Sequence, residues 1–126
     1  MRWTENVFMT PPNDPQRGEI WLADLEPVRG SEMRKTRPVV VLSSDSIQAL
    51  PVRIVVPLTG WQEQFRVSPW KVPLTPDTRN GLTKTSAADG LQVRCISVER
   101  FVERKGVLPK ATLAEIAEAV AYCLEE

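Results

Sequence analysis

The sequence predicts an α+β fold, mostly β, in one domain, and three observations carry that prediction. About five short runs rich in valine, isoleucine and leucine recur along the chain. Proline, glycine and asparagine punctuate them at short intervals. The one long stretch with helical apolar spacing stands at the C-terminal end. Short strands at close spacing curl into a small antiparallel sheet, and a single amphipathic helix must bury its apolar stripe against it. At 126 residues, 42% of them apolar, the chain suffices for a single core and not for two.

Taken in order, residues 1–15 read as an extended lead-in, because PPNDP places three prolines in five residues and excludes both helix and ladder. A first strand is expected over 18–25, where Ile20 and Leu22 alternate with their neighbours. A second is expected over 37–43, where three consecutive valines describe a strand buried on both faces. Ser44-Asp45-Ser46 offers capping side chains for one turn that Pro51 stops. Val52–Leu58 is β-branched and forms a third strand, with Pro57 marking a strand end or bulge.

Residues 61–68 read as a polar, mobile loop containing Trp61 and Phe65, aromatics that either stack on unpaired bases or belong to the core. A fourth strand spans 69–74, and Asn80-Gly81 signals a hairpin. Ser86–Ile96 forms a strand interrupted at Asp89-Gly90, and 97–104 a short helix or turn. Thr112 and Glu115 have the spacing of a capping box. Beyond them Leu113, Ile116, Ala117, Val120 and Leu124 make one apolar face, opposite Glu115, Glu118, Glu125 and Glu126. Arg53, Arg66 and Arg79 read as surface charges, Trp21 and Trp70 as core or subunit-contact residues, and Cys95 and Cys123 as small apolar fillers.

Between the first two strands, residues 28–37 hold Arg29, Arg34, Lys35 and Arg37 against one acid, Glu32. A cationic loop returning to a sheet is a candidate anion site. Pro38 restricts Arg37 to extended backbone angles, so a rigid element aims its side chain. Guanidinium presents forked donors that match phosphate oxygens and stays charged at any cellular pH. Alone, an arginine in such a loop reads first as a strand-end residue reaching into solvent. Gly30-Ser31, which permits a tight turn, and Glu32, which can orient an arginine, favour the anion site. Thr59, closing the third strand, either bonds its own backbone or faces a ligand.

The stretch RGEIWLADLEPVRGSEMRKTRPVVVLSSD resembles the amino-terminal signature of the MazF/PemK family of toxin endoribonucleases. It carries an R-G-E-I-W opening, an acidic step before Pro27, G-S-E, and R-P followed by a valine-rich strand. The likeness covers about residues 16 to 105. It implies an SH3-like small barrel of the CcdB/PemK type with a C-terminal α-helix, forming a homodimer. It implies Arg37 and Thr59 as catalytic residues facing each other across the sheet. Ser31 and Glu32 would position the scissile nucleotide, with Arg34, Gln92 and Arg94 also binding substrate. The chain departs from the pattern at Leu91, where several members carry an acid, and at Thr36, where some carry histidine. Mechanisms resting on those groups do not transfer, and a part for nearby Asp89 stays open.

Composition limits the chemistry. Sixteen basic and sixteen acidic residues balance, so nucleic-acid affinity must come from local clustering, which weakens a duplex-DNA-binding reading. With no histidine and two distant cysteines, neither a metal centre nor a histidine acid–base pair is expected. No membrane span or leader is read, so the cytoplasm is expected. No cofactor is expected.

The function anticipated is a sequence-specific, metal-independent endoribonuclease toxin cutting single-stranded RNA by attack of the 2′-hydroxyl. Arg37 would stabilise the added charge, and a MazE-type acidic antitoxin peptide would occupy the same groove. Two alternatives stay open: a non-enzymatic gyrase inhibitor related to CcdB, and a catalytically silent binding module.

Overall fold

A computed structural model describes residues 13–25 and 36–125. Seven strands form one sheet: β1 (Glu19–Asp24), β2 (Thr36–Val41), β3 (Val52–Gly60), β4 (Lys71–Leu74), β5 (Ser86–Asp89), β6 (Arg94–Ser97) and β7 (Phe101–Val107). Helix α1 (Lys110–Leu124) follows. The strand order is β4-β5-β3-β2-β1-β7, with β6 paired to β3, and every pairing is antiparallel. This is the mostly-β fold with a C-terminal helix that the residue pattern predicts.

The valine run explains the layering. Val39, Val40 and Val41 are all fully buried. Alternation sends Val40 to one face with Ile20, Val56 and Leu58, where Leu113, Ile116, Ala119 and Val120 of α1 cover it. Val39 and Val41 go to the other face with Trp21, Ala23, Leu25, Val55, Ile96 and Phe101. Trp21 and Phe101 meet there edge to face at 5.8 Å. The sheet curls around this second cluster. Arg94 lies on β6, three strands from β1 in the pairing order, yet donates to the Leu25 carbonyl at 3.4 Å.

The sheet path is open, ending on β4 and β7, and the β4–β5 connection leans against β7 to close the gap. Val107 N–H donates to the Arg79 carbonyl at 2.9 Å. Asn80, buried, organises that connection by accepting from the N–H groups of Asp77 and Leu82 and donating to the Thr75 carbonyl. The hairpin expected at Asn80-Gly81 therefore exists, as the connection over 75–85 and not as a two-residue turn.

Several expectations are corrected. β7 replaces the helix or turn read over 97–104, where only Val98–Arg100 is a 3-10 turn. Its charged centre, Glu103-Arg104-Lys105, suits the exposed edge strand it is. Helix α1 begins two residues before Thr112, with Pro109 as its N-cap and no capping side-chain bond, and Leu124 is exposed. Arg53 is no surface charge. It is buried and donates to the carbonyls of Pro15, Leu50, Val52 and Gln48 and to Asp14, fixing the end of the lead-in. Residues 1–12, most of that lead-in, lie outside the described residues.

Candidate active site

Two strands bring Arg37 and Thr59 together. The β2–β3 ladder ends on the pair Val39 with Pro57; continuing its register by two residues brings Arg37 opposite Thr59. Cross-strand partners point to the same face, about 5 Å apart at Cβ. That face is the one with Val39, Val41 and Ala23, the inner side of the curl. Arg37 Nη1 donates to the Leu58 carbonyl at 3.2 Å, which holds the guanidinium beside the peptide that leads into Thr59. Both residues are half-buried, at the end of the curl where the cluster's packing stops. They are neither on opposite sides of the fold nor sealed inside it.

Pro57 explains the local path. It occupies the step at which β3 has left β6, paired through Val55, and not yet met β5, paired from Leu58. A residue without an N–H is tolerated best where one ladder lapses. Past it, β3 turns Thr59 toward Arg37 and hands its other edge to Ala87.

The remaining expected residues divide. Arg94 is half-buried, and its guanidinium ends at the Leu25 carbonyl. Arg100 Nη1 reaches the Asp24 carbonyl at 3.1 Å. Two cations therefore converge on the end of β1, one residue past the level of Arg37. Gln92 closes the 3-10 turn Gly90–Gln92 and is half-buried, just before β6. Ser31, Glu32 and Arg34, with the rest of the cationic loop, lie outside the described residues.

A further ionisable group, Asp89, is buried at the end of β5. Asp89 pairs with Lys71 across β4–β5, and both alternate with Val72 and Ala88 of the helix-side core. Asp89 Oδ1 accepts from Leu91 N–H at 3.1 Å, and its other oxygen stands 4.0 Å from Lys71 Nζ. Burial pushes the carboxyl above its ordinary range, and the Lys71 charge and the Leu91 N–H oppose the shift without cancelling it. The signal was available: in Ser-Ala-Ala-Asp, position 89 shares the parity of Ala87, the cross-strand partner of Thr59.

The stretch expected as a polar loop connects β3 to β4. Residues Glu63–Val67 form a 3-10 turn, and Trp61 and Phe65 pack edge to face at 5.7 Å. Lys71 Nζ lies 3.9 Å from the Phe65 ring centroid. Neither aromatic joins a core cluster. Among the described residues no group of three or more histidine, cysteine, aspartate or glutamate side chains is placed to hold a metal ion.

Comparison with known proteins bears on this geometry. The chain is 38% identical over 116 residues to an endoribonuclease MazF9 of Mycobacterium tuberculosis, spanning 87% of this chain and 96% of that protein. It is 31% identical over 113 residues to an endoribonuclease MazF of Staphylococcus saprophyticus, spanning 86% and 90%. Among solved structures, MazF of Deinococcus radiodurans superposes with a TM-score of 0.72 at 21% identity, over 89% of this chain and 97% of that one. An endoribonuclease in complex with its cognate antitoxin from a mycobacterial species gives a TM-score of 0.64 at 20% identity, over 89% and 94%. The family model described as PemK-like, MazF-like toxin of type II toxin–antitoxin systems matches residues 16–124, and so runs past Phe101 through the terminal helix. The chain belongs to that family of toxins.

Proposed function

We propose that the Arg37–Thr59 site cuts single-stranded RNA at short specific sequences, as the active centre of a MazF-type endoribonuclease toxin. The observation that carries this reading is the bond from the Arg37 guanidinium to the carbonyl of Leu58, the residue before Thr59, with both Arg37 and Thr59 half-buried at the ends of adjacent strands. The chain is a MazF-type toxin of a toxin–antitoxin system, and such an enzyme needs a place to stabilise a phosphorane-like charge.

In the reaction, the 2′-hydroxyl oxygen of one nucleotide bonds to the adjacent phosphorus and the P–O5′ bond breaks. A base takes the 2′ proton, and the leaving 5′ oxygen gains one. The products are a 2′,3′-cyclic phosphate and a 5′-hydroxyl. No metal takes part. Arg37 supplies forked positive charge to the non-bridging oxygens, and it is a poor proton donor because a guanidinium pKa lies above roughly 12. Thr59 orients the phosphate or the attacking hydroxyl. Ser31, Glu32 and Arg34 position the scissile nucleotide, while Gln92 and Arg94 bind its neighbours.

The partners are RNA and a cognate antitoxin, whose acidic segment occupies the cationic groove and blocks it. The toxin works as a cytoplasmic homodimer, with residues 1–126 one functional domain. Incubation with a long unstructured RNA in EDTA tests the reading. Cuts at a recurrent short sequence, ending in cyclic phosphate and 5′-hydroxyl, are expected. Inhibition of DNA supercoiling by gyrase with the RNA intact would replace this reading with that of a non-enzymatic toxin.

A further inference from the structure

We propose that the Trp61–Phe65 pair, with Lys71 seated on the Phe65 ring, is a subsite for one unpaired nucleobase of the substrate, next to the bond that is cut. The inference rests on the nuclease reading of Arg37 and Thr59 and adds to it a residue that sets affinity and sequence preference.

The placement comes from strand register. Trp61 N–H donates to the Thr85 carbonyl at 3.0 Å, which carries the β3–β5 ladder one step past Gly60–Ser86. Alternation along that extension puts Trp61 on the face of Thr59, two residues away, a separation close to the spacing of successive nucleotides in an extended strand. Lys71 and Asp89 pair across β4 and β5 beside the turn, where α1 also approaches with Cys123 near Asp89. The aromatic pair therefore follows directly on the end of β3 that carries Thr59.

The pair is also built to stay in place. The Trp61 indole N–H donates to Glu63 at 3.2 Å, and the edge-to-face contact with Phe65 fixes the angle of the ring. Lys71 is held from two sides, 3.9 Å from the Phe65 centroid and 4.0 Å from Asp89 Oδ2. Two half-buried rings outside both core clusters contribute little to packing there. With its N–H occupied, the indole offers a π-face, which any base can use, and a preset ring loses little entropy on binding. The neighbouring ammonium favours a ligand carrying phosphate. A nucleotide is the ligand that needs a flat apolar face and a cation this close together.

The test compares wild type with Trp61→Ala and Trp61→Phe on an RNA oligonucleotide containing one cut site, and on a set in which each base flanking the cut is removed in turn. Wild type is expected to lose affinity at one flanking position. Trp61→Ala should raise KM roughly 10- to 100-fold, leave kcat within a few-fold, and be insensitive to base removal at that same position. Trp61→Phe should recover most of the loss, which a merely structural ring would not require. An unchanged KM and base-removal profile in Trp61→Ala, with wild type still cutting RNA, would overturn the subsite and leave the nuclease intact. Failure of wild type to cut any RNA would overturn both.

Discussion

Asp89 and Arg53 are both charged residues that the fold buries, and their environments set opposite expectations. Asp89 is buried with its carboxyl pKa raised. A carboxyl that holds its proton more tightly folded than unfolded costs stability in its charged form. That cost is fully present above the raised value and is relieved as pH falls through it toward the unfolded one. Asp89→Asn keeps an oxygen to accept from Leu91 N–H and removes the charge. Thermal melts from pH 7 to pH 4 should show wild type gaining stability relative to the variant on acidification; parallel curves would mean that burial imposes no such cost. Arg53, in contrast, is itself buried and donates to four carbonyls, that of Pro15 fully buried with it. Arg53→Met should lower stability by about 2 kcal/mol or more, read as a fall in the denaturation midpoint. Nothing in the local sequence VRIVV distinguishes an arginine of this kind from a solvated one, because all its partners but Val52 come from residues 14–15 and 48–50.

At the scale of elements, the strands whose apolar residues alternate or run together were legible, and those defined by position were not. β1, β2 and β3 fall within about two residues of their expected limits because Ile20, Val39–Val41 and Val55–Val56 face buried cores. β7 escaped because a strand at the end of the sheet can expose Val102 through Lys105, leaving only Phe101 and Gly106 to signal burial. Its tertiary partner is the 75–85 connection, and the contact is tight. Gly81 has φ +68, and a Cβ there would lie 2.2 Å from the Lys105 carbonyl oxygen. Gly81→Ala should therefore destabilise by roughly 1–3 kcal/mol, a drop in thermal midpoint on the order of 4–8 °C per kcal/mol. A midpoint equal to that of wild type would show that the connection separates from β7 at no cost.

The site itself was half legible. Arg37 could be singled out from Pro38 and from the charge of its loop, but Thr59 gained its role only through the resemblance. Its proximity to Arg37 depends on a β2–β3 register that one residue of slip would reverse. The turn that carries Trp61 and Phe65 leaves no trace in the sequence, because no periodicity marks a 3-10 turn.

For the molecule as a whole, the balanced charge has a consequence. With sixteen charges of each sign, no overall field draws RNA in, and affinity must come from a few local phosphate contacts. Glu115 and Glu118 on the exposed side of α1 give that face the wrong sign. For single strands each phosphate neutralised adds about 0.7 to the slope of log affinity against log salt. Binding of a 2′-deoxy-substituted oligonucleotide, which cannot be cut by 2′-hydroxyl attack, should weaken with salt. In Arg37→Ala the slope should be shallower by about 0.7. An identical slope would mean that Arg37 contacts no phosphate.

The guanidinium of residue 37 donates to the Leu58 carbonyl from a half-buried position at the end of the curl, outside both apolar clusters, so its removal should affect chemistry far more than folding. The deciding measurement is the RNA cleavage rate of Arg37→Ala in EDTA beside its thermal midpoint. The rate should fall by at least about a hundredfold, the usual loss when a charge-stabilising donor is removed, with the midpoint within a few degrees of wild type. Cleavage retained within a few-fold, or lost only together with the folded state, would contradict the assignment of Arg37 to the reacting phosphate.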